Sequence, residues 1–192
     1  MMRKVFAVCA ALTAGAAFGW TGDVCGQKFI GHGWDLLCAT PEEILENAEA
    51  FDASGLDGVA VSLKGMEPGK YGWRYAQATI ATDKPWPREL LQPRIETLRK
   101  YKDHPGLRDS LLIFWIAPVK HLAWDDDAAW ARFAGNVGTL AWVGKSAGMK
   151  GYMVDMEDYT DIRQYFWDPK RDTMSYDEAC KLARKRGAEI FR

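Results

Sequence analysis

An α/β fold built on a parallel sheet is the class this 192-residue sequence predicts, and three observations predict it. Apolar, strand-like runs alternate with segments of helical periodicity along the chain. Two capping boxes, Thr40-Pro41-Glu42-Glu43 and Ser175-Tyr176-Asp177-Glu178, mark helix starts directly. The run Ser110-Leu111-Leu112-Ile113-Phe114-Trp115-Ile116-Ala117 is continuously apolar, as a strand buried on both faces should be. Right-handed crossovers then give a parallel (β/α)4 sheet, half of a TIM-type eight-fold barrel. A doubly wound open sheet is the competing architecture. Against it, Gly31-His32-Gly33 lacks the third glycine of a dinucleotide fingerprint, so no nucleotide cofactor is expected.

Each element has a local cause. Residues 28–35 read as the first strand, running into a loop at Gly33-Trp34-Asp35. Thr40 caps the first helix, with Pro41 at its first position, and Ile44, Ala48 and Phe51 form its apolar stripe until Gly55 stops it. Residues 56–62 are the second strand. The long segment 64–86, rich in Gly, Pro, Trp and Tyr, reads as a functional loop. A second helix is expected from Pro87 to about Tyr101, the third strand over 110–117, and a third helix over 126–147, ended by Gly148. In that helix Trp130, Phe133, Val137 and Leu140 share one face, and the run Asp125-Asp126-Asp127 caps its start. The fourth strand opens at Gly151. A last helix begins at Ser175, with Lys181, Arg184, Lys185 and Arg186 expected at its end, where cations suit the dipole.

The first twenty residues are expected to be a secretory signal. Met1-Met2-Arg3-Lys4 is basic, an apolar run follows from Val5, and the small residues Ala14-Gly15-Ala16-Ala17 precede a cleavage expected between Ala14 and Thr21. The mature domain, 21–192, is then secreted or periplasmic and has no membrane segment. Net charge is −1, from 25 basic and 26 acidic residues, which leaves no footprint for nucleic acid or anionic lipid. Cys25, Cys38 and Cys180 remain after cleavage, and Cys25–Cys38 is the pair named for a disulfide. No Cys/His spacing resembles a metal site.

Chemistry concentrates in Gly151-Tyr152-Met153-Val154-Asp155-Met156-Glu157-Asp158-Tyr159. Side chains alternate along a strand, so Met153, Asp155 and Glu157 share one face. Two adjacent acids repel, and the one in drier surroundings keeps its proton, which is the state a glycosidase general acid needs. Nine tryptophans are an outlier for this length. Trp115 and Trp142 fit a core, whereas Trp34, Trp73, Trp86, Trp124 and Trp167 fall in loops or near strand ends, where an indole face suits stacking on a sugar ring. His32 lies between two glycines, which permit close ligand approach. His104 and His121 read as surface residues.

Three segments carry a resemblance: Phe29-Ile30-Gly31-His32-Gly33-Trp34-Asp35, Phe51-Asp52-Ala53-Ser54-Gly55-Leu56-Asp57-Gly58-Val59 and the acidic strand just quoted. Together they resemble bacterial secreted (β/α)8 proteins of the glycoside hydrolase superfamily, over nearly all of the mature chain. The resemblance implies an active site at the C-terminal ends of the strands, gathering His32, Trp34, Asp35, Ser62, Lys64, Trp115, Asp155, Glu157 and Tyr159 at one mouth; Trp73, from the loop tryptophans, is a further expected sugar contact. It implies Glu157 as general acid. In the large retaining clan an Asn precedes that Glu, and here Met156 stands instead. In family 18 chitinases the strand ends Asp-x-Glu, which Asp155-Met156-Glu157 matches, with Asp155 modulating the acid. Tyr152 and Met153 occupy positions where that family has further acids and glycines.

Strand rise sets the Asp155 and Glu157 Cβ atoms roughly 6–7 Å apart on one side of any substrate. They form a coupled acid pair and not an acid facing a nucleophile, which would sit across the sugar ring. Four strands also leave two unpaired sheet edges. A second copy, or a C-terminal half in a longer protein, is the expected partner, and the length favours the longer protein. The chain alone is expected to be incomplete or inactive as an enzyme. Its alternatives are a non-catalytic sugar-binding module and a truncated fragment that self-associates.

Overall fold

A computed structural model describes residues 26–63, 80, 85–118, 120–157 and 161–191. The expected signal segment and Cys25 lie outside the described residues. Strands β1 (Ile30–Gly31), β2 (Gly58–Val61), β3 (Leu111–Trp115) and β4 (Tyr152–Asp155) form one sheet in sequential order, every pair parallel. The sheet curls into half a barrel. The helices are α1 (Trp34–Cys38), α2 (Pro41–Glu46), α3 (Ala48–Asp52), α4 (Gln92–Arg99), α5 (Asp127–Ala147) and α6 (Tyr176–Ile190). Among the described residues no helix is long and apolar enough to cross a membrane.

Alternation along the strands divides the sheet into two faces. Val59, Val61, Leu112 and Phe114 join Ile44, Phe51, Ile95, Leu98, Phe133, Leu140 and Val143 in one buried core between sheet and helices. Ala60 and Ile113, pointing the other way, are buried too. The central strands are therefore covered on both faces, as parallel strands require. Trp130, Phe133, Val137, Leu140, Val143 and Ala147 form the buried stripe of α5. Tyr152 reaches back onto the same helix, its hydroxyl donating to the Ala141 carbonyl at 2.9 Å, in the space left by Gly144.

At the N-terminal edge of the sheet a polar latch aligns three strands. Asp57 takes the Phe29 N–H on its carboxylate at 2.9 Å. Its main chain exchanges bonds with both neighbours, donating to Phe29 and accepting from Asp109 at 2.8 Å. Lys28 Nζ bridges Asp57 at 3.2 Å and Asp109 at 2.8 Å. Ser110 Oγ accepts the Val59 N–H at 3.0 Å and donates to the Leu107 carbonyl. The Lys28 ammonium and the Phe29 N–H hold the Asp57 carboxyl below its ordinary range; the N–H bond is the larger effect.

Several elements depart from the sequence expectation. The first strand spans only Ile30–Gly31, and Trp34 and Asp35 open helix α1 in place of a strand-end loop. The first helix begins at its capping box as expected, with Thr40 and Glu43 bonded both ways, but breaks at Asn47. There the Asn47 amide donates to the Glu43 carbonyl at 2.7 Å, and side-chain bonding of this kind competes with helix continuation. The second helix starts late: Arg88–Leu90 is a 3₁₀ turn and α4 opens at Gln92, because Pro93 is tolerated only in a first turn. Asp126 caps α5 through the Ala129 N–H, and Gly148 ends it at φ 75°. Helix α6 runs on to Ile190, so its basic residues lie along its length and not in its last turn.

Two glycines test the packing in opposite directions. A methyl group at Gly58 would run into the Asp109–Ser110 main chain, whereas one at Gly138, on the exposed side of α5, meets nothing. Gly58→Ala is expected to destabilise by about 1–3 kcal/mol through overpacking. Gly138→Ala should stabilise by about 0.5–1 kcal/mol through helix propensity. Chemical denaturation of the two variants checks both signs.

Candidate functional site

Parallel pairing puts the C-terminal ends of all four strands on one edge. Trp115 and Asp155, the last residues of β3 and β4, lie directly opposite each other. Three hydrogen bonds shape the turn that follows. Ile116 N–H donates to the Asp155 carbonyl at 3.1 Å. Asp155 Oδ1 accepts the Glu157 N–H at 2.9 Å, closing a tight turn of the Asx type. Trp115 Nε1–H donates to the Glu157 carbonyl. Asp155 is half-buried, and Glu157 stands beyond the end of the strand with its residue exposed. The expected shared strand face therefore ends at Asp155.

The remaining site residues are distributed as follows. His32 follows β1 and is exposed, as is Asp35 in α1. The Trp34 backbone belongs to α1. Ser62, directly after β2, is fully buried. Lys64, Trp73 and Tyr159 lie outside the described residues. Trp115 is half-buried, and its indole N–H serves the acidic turn. Among the described residues no group of three or more His, Cys, Asp or Glu side chains is arranged to hold a metal.

Two of the loop tryptophans are core residues. Trp86 is 6 % exposed, and its main-chain N–H donates to Oδ1 of the buried Asn136 at 2.7 Å. Trp124 is 8 % exposed and stacks on Trp130 with ring centroids 5.1 Å apart. The Arg186 guanidinium covers the Trp130 ring at 5.7 Å and donates twice to the Trp124 carbonyl, at 3.0 and 2.8 Å. Burial works against the Arg186 charge, but Glu189 and Asp127 outweigh it and hold its pKa above the ordinary value. Trp167 is half-buried and donates to the Met174 carbonyl.

Segment 161–174 has no helix or strand, yet it is tightly bonded. The buried Gln164 amide pairs with the Leu122 main chain in both directions, at 2.7 and 2.9 Å. Tyr165 Oη donates to the Ile116 carbonyl at 2.8 Å. Arg171 gathers the carbonyls of Ile162, Arg163 and Phe166 and pairs with Asp172. Asp172 also accepts the Asp168 N–H at 2.8 Å. The Arg171 hydrogen bond is the main reason the Asp172 carboxyl lies below its usual range. No local sequence pattern announces a buried Gln or an arginine bonded to main chain.

Two outcomes follow. Trp124→Ala should cost about 3–5 kcal/mol of stability, the penalty of an emptied aromatic site; loss of ligand binding with an unchanged melt would make Trp124 a binding platform. For pH, a carboxyl whose pKa is depressed by folding stabilises above its unfolded value of about 4, and that stability is lost as pH falls through the lower folded value. Asp172→Asn should therefore lower stability near neutrality and flatten the acid limb of a melting-temperature profile below about pH 4. An unchanged profile would remove Asp172 from the clamp.

No family model, curated protein or solved structure matches this chain.

Proposed function

We propose that the chain is an exported, carbohydrate-active protein of glycoside-hydrolase-like, TIM-type barrel architecture, acting on a poly- or oligosaccharide. Glu157 is its candidate general acid and Asp155 the partner that modulates it. The observation that supports this most is the Asp155–Glu157 turn. Three hydrogen bonds fix it at the C-terminal ends of β3 and β4, and Glu157 is exposed there. Barrel enzymes carry their chemistry at that edge. The sequential parallel order of the four strands agrees with the first half of such a barrel.

The pair sits on one edge with a single residue between its members, so it supplies an acid and a modulator without a facing nucleophile. Completion of the barrel, by a second copy or by further strands, would supply the opposite wall. A second reading has its own support: a general acid works from dry surroundings, and Glu157 is exposed. That favours a sugar-binding module with little turnover. Both readings require saccharide binding at the same edge, with His32, Trp34, Asp35, Lys64, Trp73, Trp115 and Tyr159 as the candidate contacts.

The test is the full chain and its Glu157→Gln variant, assayed on aryl glycosides and titrated with cellohexaose, xylohexaose, chitohexaose and laminarihexaose. Expected are binding of at least one hexaose by both proteins and very low turnover by the chain, abolished in the variant. Turnover that survives Glu157→Gln would remove the acid role. No binding of any saccharide would remove the carbohydrate reading.

A further inference from the structure

The sheet ends in two unpaired edges of opposite sense. β1 has a neighbour only on its β2 side, and β4 only on its β3 side. The outward groups of β4 can be named. Gly151 and Asp155 give their carbonyls to Leu112 and Ile116, so alternation along the strand turns the N–H and C=O of Tyr152 and Val154 to the open side. Among the described residues no strand pairs with that side. Exposed edges are commonly blunted by proline, lysine or a bulge, and the run Tyr-Met-Val-Asp has none of them.

Direction, shape and charge fit these two edges to each other. Every strand runs parallel, so β1 of a second copy can continue the ladder beyond β4 in the same sense. A sheet curled into half a barrel then closes with one further copy and leaves no edge open. Phe29 and Tyr152 lie toward the starts of β1 and β4, 57 % and 39 % exposed, and both belong to the helix side of the sheet. Tyr152 reaches α5 there. Gly31, two residues from Phe29 and so on the same face, is turned to Leu36, Leu56 and Val59. As for charge, the exposed Lys150 precedes β4, and Asp155 and Glu157 end it. β1 starts beside the Asp57 and Asp109 carboxylates, which share the single Lys28, and ends at the exposed His32. Parallel pairing sets Lys150 against that acidic start and His32 against the acidic end. Two β4 edges paired with each other would leave β1 uncovered in both copies.

We propose that a second copy of this chain occupies the open β4 edge: β1 of each copy pairs in parallel with β4 of the other, and two four-stranded sheets close into one two-fold ring. The assembly stands on the sheet edges and does not rest on the carbohydrate reading. It has a consequence for the strand-end edge. Closure sets His32 of the second copy beside Asp155 and gives each Asp155–Glu157 turn a facing wall, so the site is incomplete in a single copy.

Sedimentation velocity on the full chain, Val154→Pro and Phe29→Lys, each beside far-ultraviolet circular dichroism, tests this. Val154→Pro removes an outward N–H and keeps the β3 ladder, the placement in which an edge strand accepts proline. Phe29→Lys sets a cation against Lys150 of the second copy. The full chain should sediment at twice its chain mass, and both variants should be folded at half that mass. A monomeric parent overturns the proposal. So do larger species, since a contact between unlike edges that fails to close propagates. A dimer that persists in Val154→Pro removes the β4 edge, and one that persists in Phe29→Lys removes β1 as its partner. If Val154→Pro does not fold, Phe29→Lys decides together with amide exchange of the parent. The Val154 amide should then exchange slowly in the dimer and fast on dilution, and equal exchange in both overturns the pairing.

Discussion

Alignment of the strand starts is the constraint on which the remainder of the structure depends. A parallel sheet has no hairpins to fix its register, so each strand must be set against the last by some other contact. Here Asp57 does this between β1 and β2, Ser110 between β2 and β3, and Lys28 ties Asp57 to Asp109 across all three. Gly58 allows the close approach of the 109–110 main chain. Between β3 and β4 the main chain alone sets the register: Lys150 N–H donates to the Ser110 carbonyl and Leu112 N–H to the Gly151 carbonyl, and the pairing runs on to Trp115 opposite Asp155 at the far edge.

The far edge is stiffened in its turn by groups that no strand or helix rule requires. Gln164 and Tyr165 fasten segment 161–174 to the residues after β3, and Arg171 folds that segment on itself. Arg186, buried to 2 % exposure, secures α6 against the Trp124–Trp130 stack. A buried arginine is costly unless paired and fully bonded. This one has Asp127, Glu189 and the Trp124 carbonyl. These bonds tie the segments that follow β3 and β4 to the rest of the fold, and Glu157 stays exposed beside them.

Much of the fold was legible in the sequence because its signals are local. The Thr40 and Ser175 capping boxes, the Asp126 cap and the Gly148 stop all stand where the sequence placed them. The alternation of strands with helices made the parallel sheet legible, and its sequential order agrees with the barrel reading, although the first strand is far shorter than its sequence suggests. What was not legible depends on distant partners. Asn47 breaks a helix by bonding Glu43, a choice its neighbours do not dictate. Trp86 and Trp124 sit in loops by sequence and in the core by structure, and part of what holds each is remote along the chain: Asn136 of α5 for Trp86, Arg186 of α6 for Trp124. Of the site, the position of Asp155 at a strand end was readable; the exposure of Glu157 just past that end, and the braced segment beside it, were not.

The central claim is that saccharide binds at the C-terminal edge of this sheet. Amide hydrogen exchange of the full chain, with and without a saturating hexaose, tests it most directly. Added protection is expected at residues 115–117 and 155–157, with the latch around Asp57 and Asp109 unchanged. Protection confined to that latch edge, or to the outer faces of the helices, would contradict it.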